Sequence, residues 1–337
     1  MENEENDNPD TLTVEPPADG TELLDFLSRR FVKVSKKDLR HLIAQGEIRL
    51  NDRVVRPKYT LHSGDLVTVP THLDDSAPRP EEDAPLEIDV LYEDDQHIVL
   101  NKPPGYPVLP DRQGKQRQFY ASVMAVLNRN RPPEGPYVRP HILHRLDRET
   151  SGVLLVAKNR KASRALSKQF ESGDVHKTYL VVVEGRFPRE EARIELPIAR
   201  QESSVIKMEP NEKNGKASVT NLILRERFGH FSLLEARPET GRQHQIRVHL
   251  QSTGYPPLVD FLYGRREILT SEEFGRIIGQ ADVPGPEVML DRCPLHAFAI
   301  SYARPGTGEP MHQEAPVPED MRSFLELLRQ EDKPPAI

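Results

Sequence analysis

Fifteen residues near the middle of the chain, His144-Arg145-Leu146-Asp147-Arg148-Glu149-Thr150-Ser151-Gly152-Val153-Leu154-Leu155-Val156-Ala157-Lys158, constrain the fold more than any other stretch. Thr150-Ser151-Gly152 is a turn signal. The unbroken apolar run 153–157 after it predicts a buried strand. Asp147 therefore sits at the entrance of a rigid element, between Arg145 and Arg148. An acid flanked by cations is favoured in its charged form. The local chemistry is that of a fixed anion in a cationic pocket.

The 337 residues suffice for one sizeable core and predict two domains. Apolar residues make up 36% and charged residues 29%, the balance of a water-soluble globular chain. Cys293 is the single cysteine, so no disulfide can form within the chain and a reducing cytoplasm is the natural compartment. The acidic start is not a signal peptide. No apolar run approaches the roughly 20 residues that span a bilayer.

The net charge of −7 is unevenly spread. Residues 1–22 hold eight acids and no base, and residues 71–95 hold ten acids and one arginine. The remainder is net positive, with ten bases against five acids in 23–70. Such basic blocks are an electrostatic footprint for phosphate.

Residues 1–20 are polar and lack apolar periodicity, so they are expected to be a disordered acidic tail. In 21–70, Leu23, Leu24, Phe26 and Leu27 recur at helical spacing. Ser35 can cap a second helix, Lys36 to Gln45, which Gly46 ends. Val54, Leu61, Val67 and Val69 read as short strands. Residues 71–86 form an acidic linker in which Pro78, Pro80 and Pro85 forbid a regular helix. Residues 87–330 form the larger domain. Strands are predicted near 88–92, 98–100, 153–156, 179–183, 219–224, 231–236 and 297–302. Helices are predicted near 120–128, 161–171, 242–251 and 320–329. Strands outnumber helices without strict alternation, which predicts an α+β class with a mixed, mostly antiparallel sheet flanked by helices and loops.

The string "LIAQGEIRLNDRVV…LHSGDLVTV" resembles the small αL-type RNA-binding domain named after ribosomal small-subunit protein S-four. In that family the second helix and its flanks carry the basic RNA-facing residues. The matching positions are Arg29, Arg30, Lys33, Lys36, Lys37 and Arg40.

The string "HRLDRETSGVLLVAK" resembles the signature of the RluA-type pseudouridine synthases, whose catalytic aspartate stands where Asp147 does. Three more blocks match: "LYEDDQHIVLNKPPGYPVLP" (91–110), "KTYLVVVEG" (177–185) and "LLEARPETGRQHQIRVHLQSTGYPPLVDFLYG" (233–264). The resemblance implies an enzyme that detaches uracil from ribose, turns it and reattaches it through carbon 5. That reaction uses no metal and no cofactor. The sequence also lacks a P-loop, a GxGxxG turn and a CxxC pair. The spacings of His244 and His249, and of Cys293 and His296, match no zinc site.

By the same resemblance, Arg145 enters the RNA where the target base has been flipped out, and Tyr179 stacks on that base. His144, Leu146, Lys177, Gln245 and Arg247 are supporting positions. Thr240 can cap the helix that runs to about Gln251, which puts Arg242 in its first turn. Helix N-termini favour acids, so an arginine there makes sense facing a fixed anion. The resemblance implies that Arg242 pairs with Asp147. The chain departs from the family at Leu109, where a histidine is usual, at Gln243 and at Val259. These departures bear on the substrate, not on the reaction.

The expected protein is a cytoplasmic, monomeric RNA pseudouridine synthase acting on ribosomal RNA, with transfer RNA open, and independent of membranes. Two other readings fit parts of the pattern. One is an RNA-binding or ribosome-assembly factor without activity. The other is a nucleoside glycosylase, which would release free base. Whether Asp147 attacks the ribose or removes a proton from it is open at this level.

Overall fold

The computed structural model describes residues 10–31, 34, 36–70, 73, 86–110, 118–132, 137–204, 206–280 and 283–331. The chain divides into two units, Met1–Pro85 and Leu86–Ile337.

In the first unit, α1 (Leu23–Arg30) and α2 (Lys36–Gln45) bury Leu23, Leu27, Leu39 and Ile43, apolar positions four residues apart in each helix. They pack with a three-stranded antiparallel sheet of order β1 (Asp10–Thr13), β3 (Leu66–Val69), β2 (Arg49–Leu50). Gly46 ends α2 at φ 74°. The turn at Asn51 is tied to the next by Asn51, whose side chain donates to Asp65 Oδ1 (2.8 Å) and accepts from Leu66 N (2.9 Å).

Two expectations fail here. The tail was expected to be disordered through residue 20, but from Asp10 the chain pairs with β3, and Val14 is buried in the core. Leu12 and Val14 supply apolar groups at strand spacing, which the acidic composition masks. Val54 is 58% exposed, and neither it nor the buried Leu61 lies in a strand. Residues 1–9 and most of the expected linker lie outside the described residues, though Leu73 is buried in this core.

The second unit is built on a ten-stranded sheet. Its strands are β4 (Asp89–Glu93), β5 (His97–Lys102), β6 (His141–Ile142), β7 (Ser151–Ala157), β8 (His176–Glu184), β9 (Glu191–Glu195), β12 (Val219–Arg227), β13 (Phe231–Pro238), β16 (Leu295–Ala303) and β17 (Pro310–Glu314). The main order is β4-β5-β7-β16-β8-β13-β12-β9, with β6 on β7 and β17 on β16. Every neighbouring pair is antiparallel except β7 with β16. Two small two-stranded antiparallel sheets complete the strands: β10 (Ile198–Arg200) with β11 (Met208–Pro210), and β14 (Leu269–Thr270) with β15 (Val288–Leu290). The mixed, mostly antiparallel sheet expected from sequence is present.

The apolar run after Asp147 is buried along its whole length because both faces of β7 are covered. Leu154 and Val156 pack with Phe119 and Val123 of α3 (Gln118–Asn128). Val153, Leu155 and Ala157 pack with Ala162 and Leu166 of α4 (Arg160–Ser172). Asn159 caps α4 by accepting from Ala162 N (2.9 Å), and Gly173 closes it at φ 82°. On the other half of the sheet, Val181, Leu234 and Ala236 meet α5 (Gln245–Ser252). The opposite face, with Val182, Phe231 and Leu233, meets α6 (Ser271–Ile278) and α7 (Glu319–Glu331).

The one parallel junction depends on Gly152. Its φ is 110°, and a Cβ there would lie 2.2 Å from the carbonyl oxygen of Ala297 in β16. Only glycine lets the two backbones approach this closely. Ser151 Oγ bonds His296 Nδ1 across the same junction (2.9 Å).

Candidate active site

The junction gathers the site. Gly152 stands opposite Ala297, and Ala297 stands opposite Tyr179 of β8. The turn holding Asp147 is thus brought to the strand holding Tyr179, although 32 positions separate them. Thr150 N closes that turn on Asp147 O (3.1 Å). Lys102 braces it from below: its ammonium donates to the carbonyls of Pro103 (2.7 Å), Tyr106 (2.7 Å) and Arg148 (3.1 Å). Burial pushes Lys102 down to about 7, partly countered by Glu149 and Asp147. Arg292 braces the turn from the other side, donating to Glu149 O (3.0 Å) and gripping Asp320 of α7 with Nε and Nη2 (2.6 and 2.8 Å).

Asp147 and Tyr179 open into one cleft of about 870 Å³, which His144, Arg145, Leu146, Lys177, Arg242, His244, Gln245 and Arg247 also line. This volume is within the range of pockets that hold small molecules. Asp147 is 21% exposed, and its Oδ2 accepts from Arg247 Nη1 (3.1 Å). Its Oδ1 makes no hydrogen bond among the described residues; His244 Nε2 stands 4.0 Å away.

Arg247 belongs to a buried chain. Its Nε and Nη2 grip Asp260 (2.6 and 2.8 Å), a carboxylate with no exposed side-chain surface. Burial alone would raise the Asp260 carboxyl, but the bonds from Arg247 and from the N–H groups of Leu262 and Tyr263 outweigh it and hold it low. The guanidinium also faces the Tyr263 ring at 4.9 Å and the Phe261 ring at 5.8 Å.

This corrects one expectation. The cation paired with Asp147 is Arg247, not Arg242. The helix does not begin at Thr240. Thr240 Oγ1 and Arg242 N both donate to Gln245 Oε1 (2.7 and 3.0 Å), and His244 turns into the left-handed region before α5 starts. Arg242 therefore lies outside the helix. It is exposed at the cleft edge, with Nε donating to Ala217 O (3.2 Å).

The other expected positions divide clearly. Arg145 is exposed on the cleft, without a hydrogen bond or ion pair among the described residues. Tyr179 is half-buried, and burial, then the Asp147 charge, raises its hydroxyl far above the usual range. Lys177 has no hydrogen bond or ion pair among the described residues, and burial lowers its ammonium. His144 is structural as well as cleft-lining: its Nε2 accepts from Leu155 N (3.0 Å), its ring stacks on Phe170, and burial holds it at about 3. Leu146 is buried in the core beside α3. Gln245 staples the entry of α5 to Val219 and Thr220. In the first unit Arg29, Arg30 and Arg40 are exposed. Lys33 lies outside the described residues, as do the side chains of Lys36 and Lys37.

Asp260, Tyr263 and Arg292 were not picked out by sequence reasoning. Asp260 and Tyr263 stand inside the third motif block, where their types alone do not single them out. Among the described residues no three His, Cys, Asp or Glu side chains converge to hold a metal. His249 bonds Thr220 Oγ1 and Leu196 O, and His296 bonds Ser151 and Ala315 O. No described helix is long and apolar enough to cross a membrane.

Known proteins give the same picture. Residues 96–252 match the RNA pseudouridylate synthase family, and residues 23–67 match the S4 domain. The chain is 35% identical to ribosomal large subunit pseudouridine synthase C of Escherichia coli (strain K12), over 92% of this chain and 93% of that one. It is 36% identical to ribosomal large subunit pseudouridine synthase D of Xanthomonas campestris pv. campestris, over 90% and 88%. The solved structure of human RNA pseudouridylate synthase domain containing 4 shares the fold, with a TM-score of 0.55 at 23% identity over 71% of this chain and 92% of that one. With an open carboxylate held by a buried arginine in the matching domain, and relatives this similar over most of both chains, the protein belongs to the RNA pseudouridylate synthase family, isomerases that act on uridines in RNA.

Proposed function

We propose that this enzyme converts specific uridines of large-subunit ribosomal RNA to pseudouridine, with Asp147 as the catalytic carboxylate. The observation that carries the assignment is the asymmetry of Asp147: Oδ2 is tied to Arg247, while Oδ1 has no hydrogen bond among the described residues and the side chain lines the cleft. An anion with one oxygen fixed and one free is pre-oriented to act on a sugar. The choice of RNA follows the names of the similar synthases C and D.

On this reading the target uridine leaves its stack, at a cost of a few kcal/mol, and Arg145 fills the vacated space. The uracil lies against Tyr179. Asp147 acts on the ribose, the C1′–N1 bond breaks, and the base turns so that C5 bonds to C1′. The hydrogen of C5 departs as a proton and N1 takes one up, which balances the isomerisation without any co-reactant. Lys177, without a hydrogen bond or ion pair among the described residues, is a cation suited to a backbone phosphate. Arg242 adds positive charge at the cleft rim. Arg29, Arg30 and Arg40, with Lys33, Lys36 and Lys37, give the S4-like unit sequence-independent affinity for phosphate. The enzyme works in the cytoplasm as a monomer.

The test is pseudouridine mapping of total RNA from cells with the gene intact, deleted, or carrying Asp147→Ala. Large-subunit sites lost in both altered strains are expected. Loss confined to transfer RNA would move the substrate, and a site retained by Asp147→Ala would remove Asp147 from the chemistry.

A further inference from the structure

His244 is held in an uncommon backbone conformation beside Asp147. It is one of three described non-glycine residues in the left-handed region, at φ 54° and ψ 18°. Such a backbone costs about 1 kcal/mol or more and persists where the surroundings enforce it. The ring is fixed by Tyr263, whose hydroxyl stands 2.8 Å from Nδ1. That hydroxyl already accepts from Met208 N (2.8 Å). With that bond accepted, the hydroxyl's own proton is available to His244 Nδ1, and the tautomer that uses it accepts there. Burial, countered by Asp147, keeps the imidazole from charging at neutral pH, and burial pushes the Tyr263 hydroxyl up to about 12. In that tautomer the ring proton is on Nε2, which stands 4.0 Å from Oδ1 of Asp147.

At 4.0 Å this N–H is not bonded to Asp147, and it makes no hydrogen bond among the described residues. It points to the space that the reacting atoms would occupy. When C1′–N1 breaks, the bonding pair stays with uracil, and negative charge spreads to the carbonyl oxygen O2 next to N1. This holds whether Asp147 attacks C1′ or takes the proton from C2′. With the ribose against Oδ1, O2 of the leaving base comes within reach of Nε2.

We propose that His244 is a neutral hydrogen-bond donor to the departing uracil, preset by the Met208–Tyr263 chain, and that Tyr263 is its positioning residue. The proposal rests on the synthase reading above. Fixed donors aimed at developing charge act without reorganisation, and removing one typically costs about 10²–10³-fold in rate.

The experiment uses the full chain and a transcribed domain of large-subunit ribosomal RNA made with uridine or with 5-fluorouridine. Single-turnover breakage of C1′–N1 is read by nucleoside chromatography. Fluorine withdraws electrons, so the fluorinated base leaves with less help. His244→Phe is expected to slow the uridine RNA about 10²-fold and the fluorinated RNA much less, with RNA affinity unchanged. His244→Gln, which keeps an N–H donor, is expected to recover part of the loss. Tyr263→Phe is expected to show the same split between the two RNAs at smaller size. Equal losses on both RNAs, in His244→Gln and Tyr263→Phe as well as His244→Phe, would overturn the proposal, as would a wild-type rate in His244→Phe. A wild-type protein that breaks C1′–N1 in neither RNA would instead overturn the synthase reading beneath it.

Discussion

Replacing Arg247 with methionine separates what holds the fold from what orients Asp147. The guanidinium is 6% exposed and bridges Asp260, which is fully buried, to Asp147. In Arg247→Met, Asp260 Oδ1 keeps the N–H groups of Leu262 and Tyr263, but Oδ2 loses its donor. Removing one partner of a buried ion pair costs about 3–5 kcal/mol, a large part of a typical folding stability of about 5–15 kcal/mol. Asp147 loses its anchor in the same step, and a misplacement of about 1 Å at a reacting group costs on the order of 10²-fold in rate. The double variant Arg247→Met/Asp260→Asn removes the stranded charge and keeps an acceptor for both N–H groups. Urea unfolding should show roughly 2 kcal/mol or more returning in the double variant, while single-turnover kcat stays down. A double variant that regains wild-type kcat would refute the reasoning, because the loss would then be one of folding. So would an Arg247→Met protein with near-wild-type kcat.

Gly152→Ala should destabilise by about 3 kcal/mol and lower kcat, because the added Cβ would meet Ala297 O at 2.2 Å and push the Asp147 turn off β16; an unchanged melting temperature would contradict the account of that junction. His296 is held at about 4 by burial, so below the unfolded value of about 6.5 the unfolded chain takes up a proton that the folded chain refuses. Its contribution is constant above that value and falls by on the order of 3 kcal/mol in total between about pH 6.5 and 4; urea titrations across this window should show a shallower decline in His296→Gln. In the first unit, Arg29→Ala, Arg30→Ala and Arg40→Ala should each weaken RNA binding without changing which site is modified, and each should reduce the salt slope by about 0.7–0.9 per lost phosphate contact; an unchanged slope in all three would remove this face from the RNA interface.

The parts legible in the sequence are those encoded locally. The buried strand after Asp147, the paired helices of the first unit and the mostly antiparallel sheet follow from apolar spacing and turn residues within short windows. Strand β1 was missed because four residues of alternation are outweighed by surrounding acid, and the strand exists only through its pairing with β3. The partner of Asp147 was misread for a related reason. Arg242 and Arg247 lie five residues apart, and a helix-dipole argument chose the one nearer the expected cap. The choice is actually made by Asp260, 13 positions beyond Arg247, which buries one arginine and leaves the other at the rim. The left-handed turn at His244, which starts the helix late, is equally invisible in a helix-compatible string. Lys102 and Arg292 brace the catalytic turn through backbone carbonyls, and such contacts leave no trace in residue patterns.

The most direct test of the central claim is tritium release. Isomerisation replaces the C5–H bond of uridine with a C5–C1′ bond, so large-subunit ribosomal RNA transcribed with uridine tritiated at C5 must lose tritium to water at each converted site. Wild-type protein is predicted to release tritium to a fixed number of equivalents per RNA without free uracil, and Asp147→Asn to release none above background. Release by Asp147→Asn at the wild-type rate, or free uracil in place of tritiated water, would contradict the account.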